Sequence, residues 1–254
     1  MKEYQKIVDD WQFNILNIYN FNKNGSLDKY FEFIKKNHKK IKGDLIEAGV
    51  FTGKSLLATA IYLKKIGSRK KIYAFDTWEG FPKEYKQHPK DKHRSWQKLY
   101  NEKLISKQQY KKVKLNLRYI KFIKNKKIDS FNISTSNNFS NCSIYELKRK
   151  ISFLELDNII LRKGSFKKTM NKNFKLENIF SALLDVDLYE SYKTALPFLW
   201  DKLSKKGIIF LDEYYSIKFP GARLACNEFF LKKKIKPVCV SRKNKDFERW
   251  IIKK

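Results

Sequence analysis

Two short runs of acidic residues follow apolar segments of the chain and could together bind a cation. Asp185 and Asp187 follow one apolar run, and Asp212 and Glu213 follow another. Each apolar run is typical of a buried parallel strand. Because ligands bind at the carboxyl ends of strands in open α/β sheets, we expect all four carboxylates in one crevice. Such a cluster needs a cation, a shared proton or a cationic substrate, and a divalent metal is the simplest solution.

A glycine-containing turn near the start of the chain has two interpretations. Residues 48–55 approximate a phosphate-binding loop in which Ala48 replaces the first glycine, and Asp212 would then belong to the second motif of an NTPase. The alternative is a site for S-adenosylmethionine, which carries a positive sulfur, an ammonium group and a ribose diol. Glu47 would attract this cation and repel a triphosphate, and Asp76 stands where related folds bind ribose. The methyl-donor interpretation is favoured, and the NTPase remains the alternative.

The elements that must position these residues alternate between strand and helix. Apolar periodicity predicts strands at 44–49, 71–76, 158–161, 179–184 and 207–211, and helices at 27–41, 55–66, 143–156, 189–203 and 220–234. Ser26 and Ser143 are predicted to cap the first and third of these helices. The chain ends in an antiparallel hairpin of strands 237–241 and 247–252, joined by residues 242–246. This order predicts an α/β, Rossmann-like class I methyltransferase fold, with a seven-stranded, mostly parallel sheet and helices on both faces.

The domain organisation follows from where this alternation is interrupted. Residues 1–42 are predicted to form an N-terminal helical segment, and residues 43–254 a methyltransferase domain. An insertion at about 83–142 is too long for a plain connection, and helices are predicted within it at 95–104 and 106–113. Its aromatic side chains favour a partly ordered lid over the crevice, with a disordered surface insert as the alternative.

Composition limits the class of partner. The 254-residue chain carries a net charge of +30, and 42% of its residues are hydrophobic, which suffices for one large domain. Most of the charge comes from lysine, whereas nucleic-acid readers rely more on arginine. We therefore expect a solvated basic surface with weak attraction to anionic surfaces and no specific nucleic-acid partner. The alternative is a polyanion-binding protein on a decayed methyltransferase scaffold, which the retained carboxylates oppose because they would be destabilising without a metal.

Targeting and cysteine signals favour a cytoplasmic protein. No apolar run approaches the roughly 18 residues of a membrane span, and the N-terminus lacks an apolar signal segment. Cys142, Cys226 and Cys239 form no CxxC pair, which suits a reducing compartment without disulfides. The sequence leaves open whether the chain forms a homo-oligomer.

Four motifs resemble, in the same order, those of the macrocin O-methyltransferase (TylF-type) family. They are residues 43–53, 75–82, 164–169 and 185–191, which read GDLIEAGVFTG, FDTWEGFP, GSFKKT and DVDLYES. The insertion is not covered. The resemblance implies an S-adenosylmethionine-dependent, divalent-metal-dependent O-methyltransferase. Its acceptor would be a sugar hydroxyl of a surface polysaccharide precursor or a glycosylated natural product.

The resemblance also implies roles for individual residues. Mg²⁺ (or Mn²⁺) would be held by Asp185, Asp212 and Glu213, where Glu213 replaces the family's usual aspartate. Asp187 would be the general base. The implied cofactor-binding residues are Glu47, Ala48, Gly49, Thr52, Ser55, Asp76, Thr77, Gly164, Ser165, Phe166 and Asp185.

Elementary chemistry agrees with these roles. Bound magnesium lowers the pKa of a sugar hydroxyl, and a nearby carboxylate can then take its proton. Residues i and i+2 of a strand share a face, so Asp185 and Asp187 are expected to address the same crevice. Alternatively, Asp187 only caps the following helix. Arg223 could bind an anionic substrate group or form a surface salt bridge.

Overall fold

The predicted alternation of strands and helices is present in a computed structural model, which describes residues 1–243 and 247–254. The strands are β1 (Asp44–Ala48), β2 (Ile72–Asp76), β3 (Ile159–Lys163), β4 (Ile179–Leu184), β5 (Leu203–Leu211), β6 (Val238–Lys243) and β7 (Phe247–Lys253). The helices are α1 (Asp10–Ile15), α2 (Asp28–Asn37), α3 (Lys54–Lys65), α4 (Arg94–Asn101), α5 (Lys107–Lys124), α6 (Ile144–Phe153), α7 (Phe166–Thr169), α8 (Tyr189–Lys202) and α9 (Pro220–Lys233). Short 3₁₀ turns occupy Glu3–Lys6, Lys83–Tyr85, Pro89–Asp91 and Asp212–Tyr214.

One seven-stranded sheet has the order β3-β2-β1-β4-β5-β7-β6. The pairs among β1 to β5 are parallel, whereas β7 pairs antiparallel with both β5 and β6. The predicted fold class is therefore confirmed, including the terminal hairpin. Of the predicted connection 242–246, the first two residues extend β6, and residues 244–246 lie outside the described part of the chain.

The register of the sheet brings four strand ends to one edge. Ala48 of β1 pairs with Phe75 of β2 on one side and with Leu184 of β4 on the other, and Leu184 pairs with Leu211 of β5. Because these strands are parallel, the residues that follow them emerge side by side. These are the residues in which the sequence motifs are concentrated.

Helices cover both faces of the sheet. On β4, Leu183 packs into one apolar cluster with α2 and α3, while its neighbour Leu184 packs into another with α8 and α9. This alternation is the pleat of a strand buried on both faces, which explains its continuous apolar sequence. None of the helices in the described residues has the length and apolar character needed to span a membrane.

The insertion is folded against the core formed by the sheet and its helices. Trp96 of α4 and Val113 of α5 are buried in the cluster with α8 and α9. The guanidinium of Arg223 on α9 donates to the backbone oxygens of Leu104 (2.6 Å) and Tyr214 (2.9 Å). Arg223 is half-buried and connects the insertion to α9, a role that was not predicted for it.

Several predicted boundaries were wrong. Helix α5 continues to residue 124 rather than ending at 113, because Val113 and Ile120 continue its buried face. Helix α2 begins after Leu27, and no side-chain hydrogen bond from Ser26 caps it. Ser143 does cap α6, since its hydroxyl accepts a hydrogen bond from the N–H of Glu146 at 3.2 Å.

Candidate active site

The turn after β1 requires glycine because it contacts the end of β4. Gly49 has a φ of +83°, and a Cβ at this position would lie 1.8 Å from the backbone oxygen of Asp185. Next to it, the N–H of Asp185 donates to the oxygen of Ala48 at 2.9 Å. A side chain at residue 49 would therefore separate the two strand ends that carry the first motif and the acidic motif.

Three carboxylates converge beyond β4 and β5. One oxygen each of Asp185, Asp187 and Glu213 lies within 4.8 Å of the others. Asp185 and Asp187 come after the end of β4 at Leu184, and Asp187 has a left-handed φ of 56°. The two carboxylates do address the same crevice, as expected. The expected cause was wrong, because a strained turn after β4 brings them together and not a shared strand face.

Burial and mutual repulsion favour protonation of this cluster. Burial raises the pKa of Asp185 well above its usual range, and the charge of Asp212 adds to the effect. Burial, followed by the charge of Glu213, likewise raises the pKa of Asp187. Burial and the charge of Asp212 raise the pKa of Glu213 to about 7. A bound cation would lower these pKa values again, because its charge stabilises the ionised carboxylates.

The donor set fits a hard divalent cation. The oxygen Oε2 of Glu213 is buried and has no hydrogen-bond partner among the described residues. Carboxylate oxygens are the ligands that Mg²⁺ and Mn²⁺ prefer. The three carboxylates therefore supply both the ligand chemistry and an unsatisfied acceptor.

Asp212 lies outside this group of three. Its Oδ1 is 3.5 Å from the guanidinium of Arg249 on β7, and its side chain is about a quarter exposed. The assignment of Asp212 as a ligand and of Asp187 as the base stays a prediction. The alternative that Asp187 caps α8 was wrong, because Leu188 is the N-cap and the buried carboxylate of Asp91 accepts the N–H of Tyr189 at 3.0 Å.

A cavity of about 350 Å³ opens beside the carboxylates. Most of the predicted cofactor-binding residues line it, and these are Gly49, Thr52, Ser55, Asp76, Thr77, Ser165, Phe166 and Asp185. Asp187, Asp212 and Glu213 line it as well. Glu47, Ala48 and Gly164, which were also predicted to bind the cofactor, are not part of its wall.

Glu47 does not line the cavity but forms a hydrogen bond with the start of α3. It is buried and accepts a hydrogen bond of 2.6 Å from the hydroxyl of Ser55. Burial raises the pKa of Glu47 to about 8. The same contact occupies the hydroxyl that a phosphate-binding loop would direct to magnesium.

Asp76 fixes the loop between β1 and α3. Its Oδ2 accepts the N–H groups of Val50 (2.7 Å) and Phe51 (2.9 Å), and its Oδ1 accepts the N–H of Trp78 (2.7 Å). The Thr77 hydroxyl lies 3.4 Å from Oδ1 but 2.8 Å from the backbone oxygen of Gly80, the closer acceptor for its single hydrogen. A carboxylate offers about four acceptor positions, so one remains for a ribose hydroxyl. Asp76 therefore has a structural role in this loop, and its role in binding the ribose stays a prediction.

The comparison with protein families decides among the interpretations. Residues 24–128 and 123–241 match the family model "Macrocin-O-methyltransferase (TylF)". The chain belongs to the macrocin O-methyltransferase family. It is accordingly an O-methyltransferase that uses S-adenosylmethionine, and the assignment of the turn at residues 48–55 to this cofactor stays a prediction. A search of curated protein sequences finds no match.

Solved structures of methyltransferases share the fold of this family member. The O-methyltransferase NovP matches with a TM-score of 0.60 at 18% identity, over 89% of this chain and 79% of NovP. The calicheamicin methyltransferase CalS11 matches with a TM-score of 0.60 at 18% identity, over 96% of this chain and 80% of CalS11. A structure of its apo form names it a TDP-rhamnose 3'-O-methyltransferase. An O-methyltransferase from Bacillus cereus in complex with SAH matches with a TM-score of 0.50 at 10% identity, over 98% of this chain and 93% of its own.

Residues from distant parts of the chain complete the cavity of this O-methyltransferase. Sequence reasoning missed the wall residues Tyr19, Tyr85, Ser134, Phe139, Ser191, Lys218 and Phe219. Tyr85, Ser134 and Phe139 belong to the insertion, where the aromatic composition was a signal but gave no positions. Tyr19 comes from the N-terminal segment, and nothing in its local sequence marks it.

Proposed function

We propose that this O-methyltransferase transfers the methyl group of S-adenosylmethionine to a sugar hydroxyl at a divalent-metal site. The observation that carries the proposal is the group of three carboxylates within 4.8 Å of one another, one buried and two half-buried, at the wall of the cavity lined by the cofactor motifs. The description of CalS11 as an enzyme acting on TDP-rhamnose supports a sugar-containing acceptor, either a surface polysaccharide precursor or a glycosylated natural product.

Asp185, Asp212 and Glu213 are the residues proposed to hold Mg²⁺ or Mn²⁺. Asp185 and Glu213 belong to the group of three carboxylates. Asp212 lies outside that group and is included because the family resemblance implies it. When bound, the cation acts as a Lewis acid that lowers the pKa of an acceptor hydroxyl. Its charge also removes the repulsion that the carboxylates impose on one another.

Asp187 is proposed as the general base. Its carboxylate is buried beside the other two, and its strained backbone holds it at the cavity wall. A carboxylate whose pKa is raised by burial is a stronger base than an exposed one, so it is better matched to a hydroxyl proton. Asp187 would take that proton as the methyl group is transferred in line from sulfur to oxygen.

The remaining wall orients the reactants and excludes water. Asp76 and Thr77 lie where the ribose of the methyl donor is expected, at the end of β2. Tyr85 and Phe139 of the insertion contribute aromatic side chains to the wall. Exclusion of water strengthens every electrostatic interaction in the site, which gives the insertion a function as a cover.

Labelled methyl transfer tests this proposal. The purified protein is incubated with methyl-labelled S-adenosylmethionine and a panel of nucleotide sugars and glycosides, with and without a chelator. We expect transfer that disappears on chelation and returns with Mg²⁺. Asp187→Asn should lower turnover by about 10²-fold or more, whereas Asp201→Asn, which changes an exposed aspartate on α8, should not. Full transfer by a metal-free preparation would overturn the metal-dependent mechanism.

A further inference from the structure

The insertion exposes an apolar stripe along its longest helix. On α5, Leu115, Tyr119, Phe122 and Ile123 recur at spacings of three and four residues, so they lie on one side of the helix. Their exposed fractions are 44%, 55%, 85% and 71%. Another side of α5 is buried through Val113 and Ile120, so the helix is already anchored while the stripe is exposed. A contiguous exposed stripe of this kind marks an interaction surface.

A second stripe on the same helix is basic. Lys107, Lys111, Lys114, Arg118 and Lys121 are exposed and follow one another around the helix beside the apolar stripe. The sequence of α5 contains no aspartate or glutamate. Two more exposed lysines, Lys126 and Lys127, follow its end. The helix therefore presents an apolar surface beside a surface whose charged side chains are all positive.

The partner that fits both stripes is an anionic lipid surface. A helix with an apolar side and lysines on its polar side lies in the plane of the membrane interface, with its rings among the acyl chains and its cations at the headgroups. The net charge of +30 adds long-range attraction to such a surface. A second copy of this chain fits less well, because two α5 helices would bring like charges together.

The docking surface is attached to the wall of the active site. Lys124, in the last turn of α5, donates to the backbone oxygens of Asn132 and Ser134 at 2.5 Å each. Ser134 lines the cavity. We propose that α5 docks the enzyme on anionic membranes through Leu115, Tyr119, Phe122 and Ile123, and that this places the active-site wall beside the lipid surface.

Flotation with vesicles tests the docking. The full chain is mixed with vesicles of phosphatidylcholine alone, or of phosphatidylcholine mixed equally with phosphatidylglycerol. We expect binding to the anionic vesicles and little to the neutral ones, with loss at high salt. Phe122→Ser combined with Ile123→Ser should weaken anionic-vesicle binding about tenfold or more. Lys111→Gln, Arg118→Gln and Lys121→Gln together should have an effect of similar size.

Matched control variants distinguish a specific effect of the α5 surface from a general loss of exposed apolar side chains or positive charge. Leu231→Ser with Tyr145→Ser removes two side chains of comparable exposure, 80% and 67%, from other helices. Lys35→Gln, Lys205→Gln and Lys232→Gln removes the same charge elsewhere. Both controls should bind as the wild type does. The proposal is overturned if anionic vesicles do not bind, if the controls lose as much binding as the α5 variants, or if the Phe122 variant only abolishes self-association.

Discussion

The carboxylate of Asp91 occupies the space that a side chain on residue 221 would need. A Cβ built on Gly221 would lie 1.8 Å from Oδ1 of Asp91. The same carboxylate accepts the N–H of Tyr189 at 3.0 Å, and burial raises the pKa of Asp91 to about 7. One side chain of the insertion is thus held between the first turns of α8 and α9. It thereby connects the insertion to the helices that follow the two acidic motifs.

Gly221→Ala should release the insertion from the core. Because the added methyl group overlaps a buried carboxylate, the segment around Asp91 must move, and overpacking of this kind costs about 1–3 kcal/mol. We expect faster hydrogen exchange and proteolysis within residues 83–142, with little change in the sheet. The double variant Gly221→Ala with Asp91→Ala should recover part of the loss. Unchanged exchange rates in the single variant would show that Asp91 does not fasten the insertion.

Glu47 should make stability depend on pH. Its pKa of about 8 in the folded state lies above its ordinary value of 4.5. Below pH 4.5 the carboxyl is protonated in both states, so it has no differential effect. Between these two pKa values the unfolded state ionises first, so Glu47's contribution to the free energy of unfolding falls as pH rises.

Glu47→Gln isolates this contribution. The variant cannot ionise, so its stability relative to wild type should increase steadily between about pH 5 and pH 8, with Glu155→Gln as an exposed control. Chemical denaturation at several pH values measures the difference. If the free energies of unfolding of the wild type and the variant differ by the same amount at every pH, Glu47 is ionised in the folded protein.

The sequence predicted what depends on local pattern. Apolar runs located β4 and β5, and the carboxylates after them are adjacent in the structure because parallel strands end at one edge. The pairing of Asp212 with Arg249 was not predictable, since it depends on how a later strand, β7, adds to the sheet. The left-handed turn at Asp187 was also missed, because tertiary contacts and not residue type impose it.

Helix α5 shows a related limit of local reasoning. Its many lysines and exposed rings weaken the apolar signal after Val113, although Ile120 is buried. The helix is stabilised by packing of a narrow face, which the sequence shows only once the partner surface is known. The same holds for Tyr19, which reaches the cavity from the N-terminal segment.

Asp76→Ala should weaken binding of S-adenosylhomocysteine. The substitution removes the acceptor of three backbone N–H groups and, in the proposed site, of the ribose, and charge-assisted hydrogen bonds contribute about 1.5–3 kcal/mol. We expect a loss of affinity of about 10- to 100-fold by calorimetric titration. Asp44→Ala, at the opposite end of β1, is the control. Equal affinity for the two variants would remove Asp76 from the cofactor site.

A Mn²⁺ titration followed by electron paramagnetic resonance tests whether the carboxylates beyond β4 and β5 form a divalent-cation site used for methyl transfer. Wild-type protein, first treated with a chelator, should bind Mn²⁺ at one site. Asp185→Asn should weaken that binding at least about tenfold, since even partners of metal ligands change affinity by 10- to 100-fold. Asp201→Asn, an exposed aspartate, should bind as wild type does. A wild-type protein that binds no Mn²⁺, or an Asp185→Asn variant that binds it equally well, would show that these carboxylates do not form the metal site.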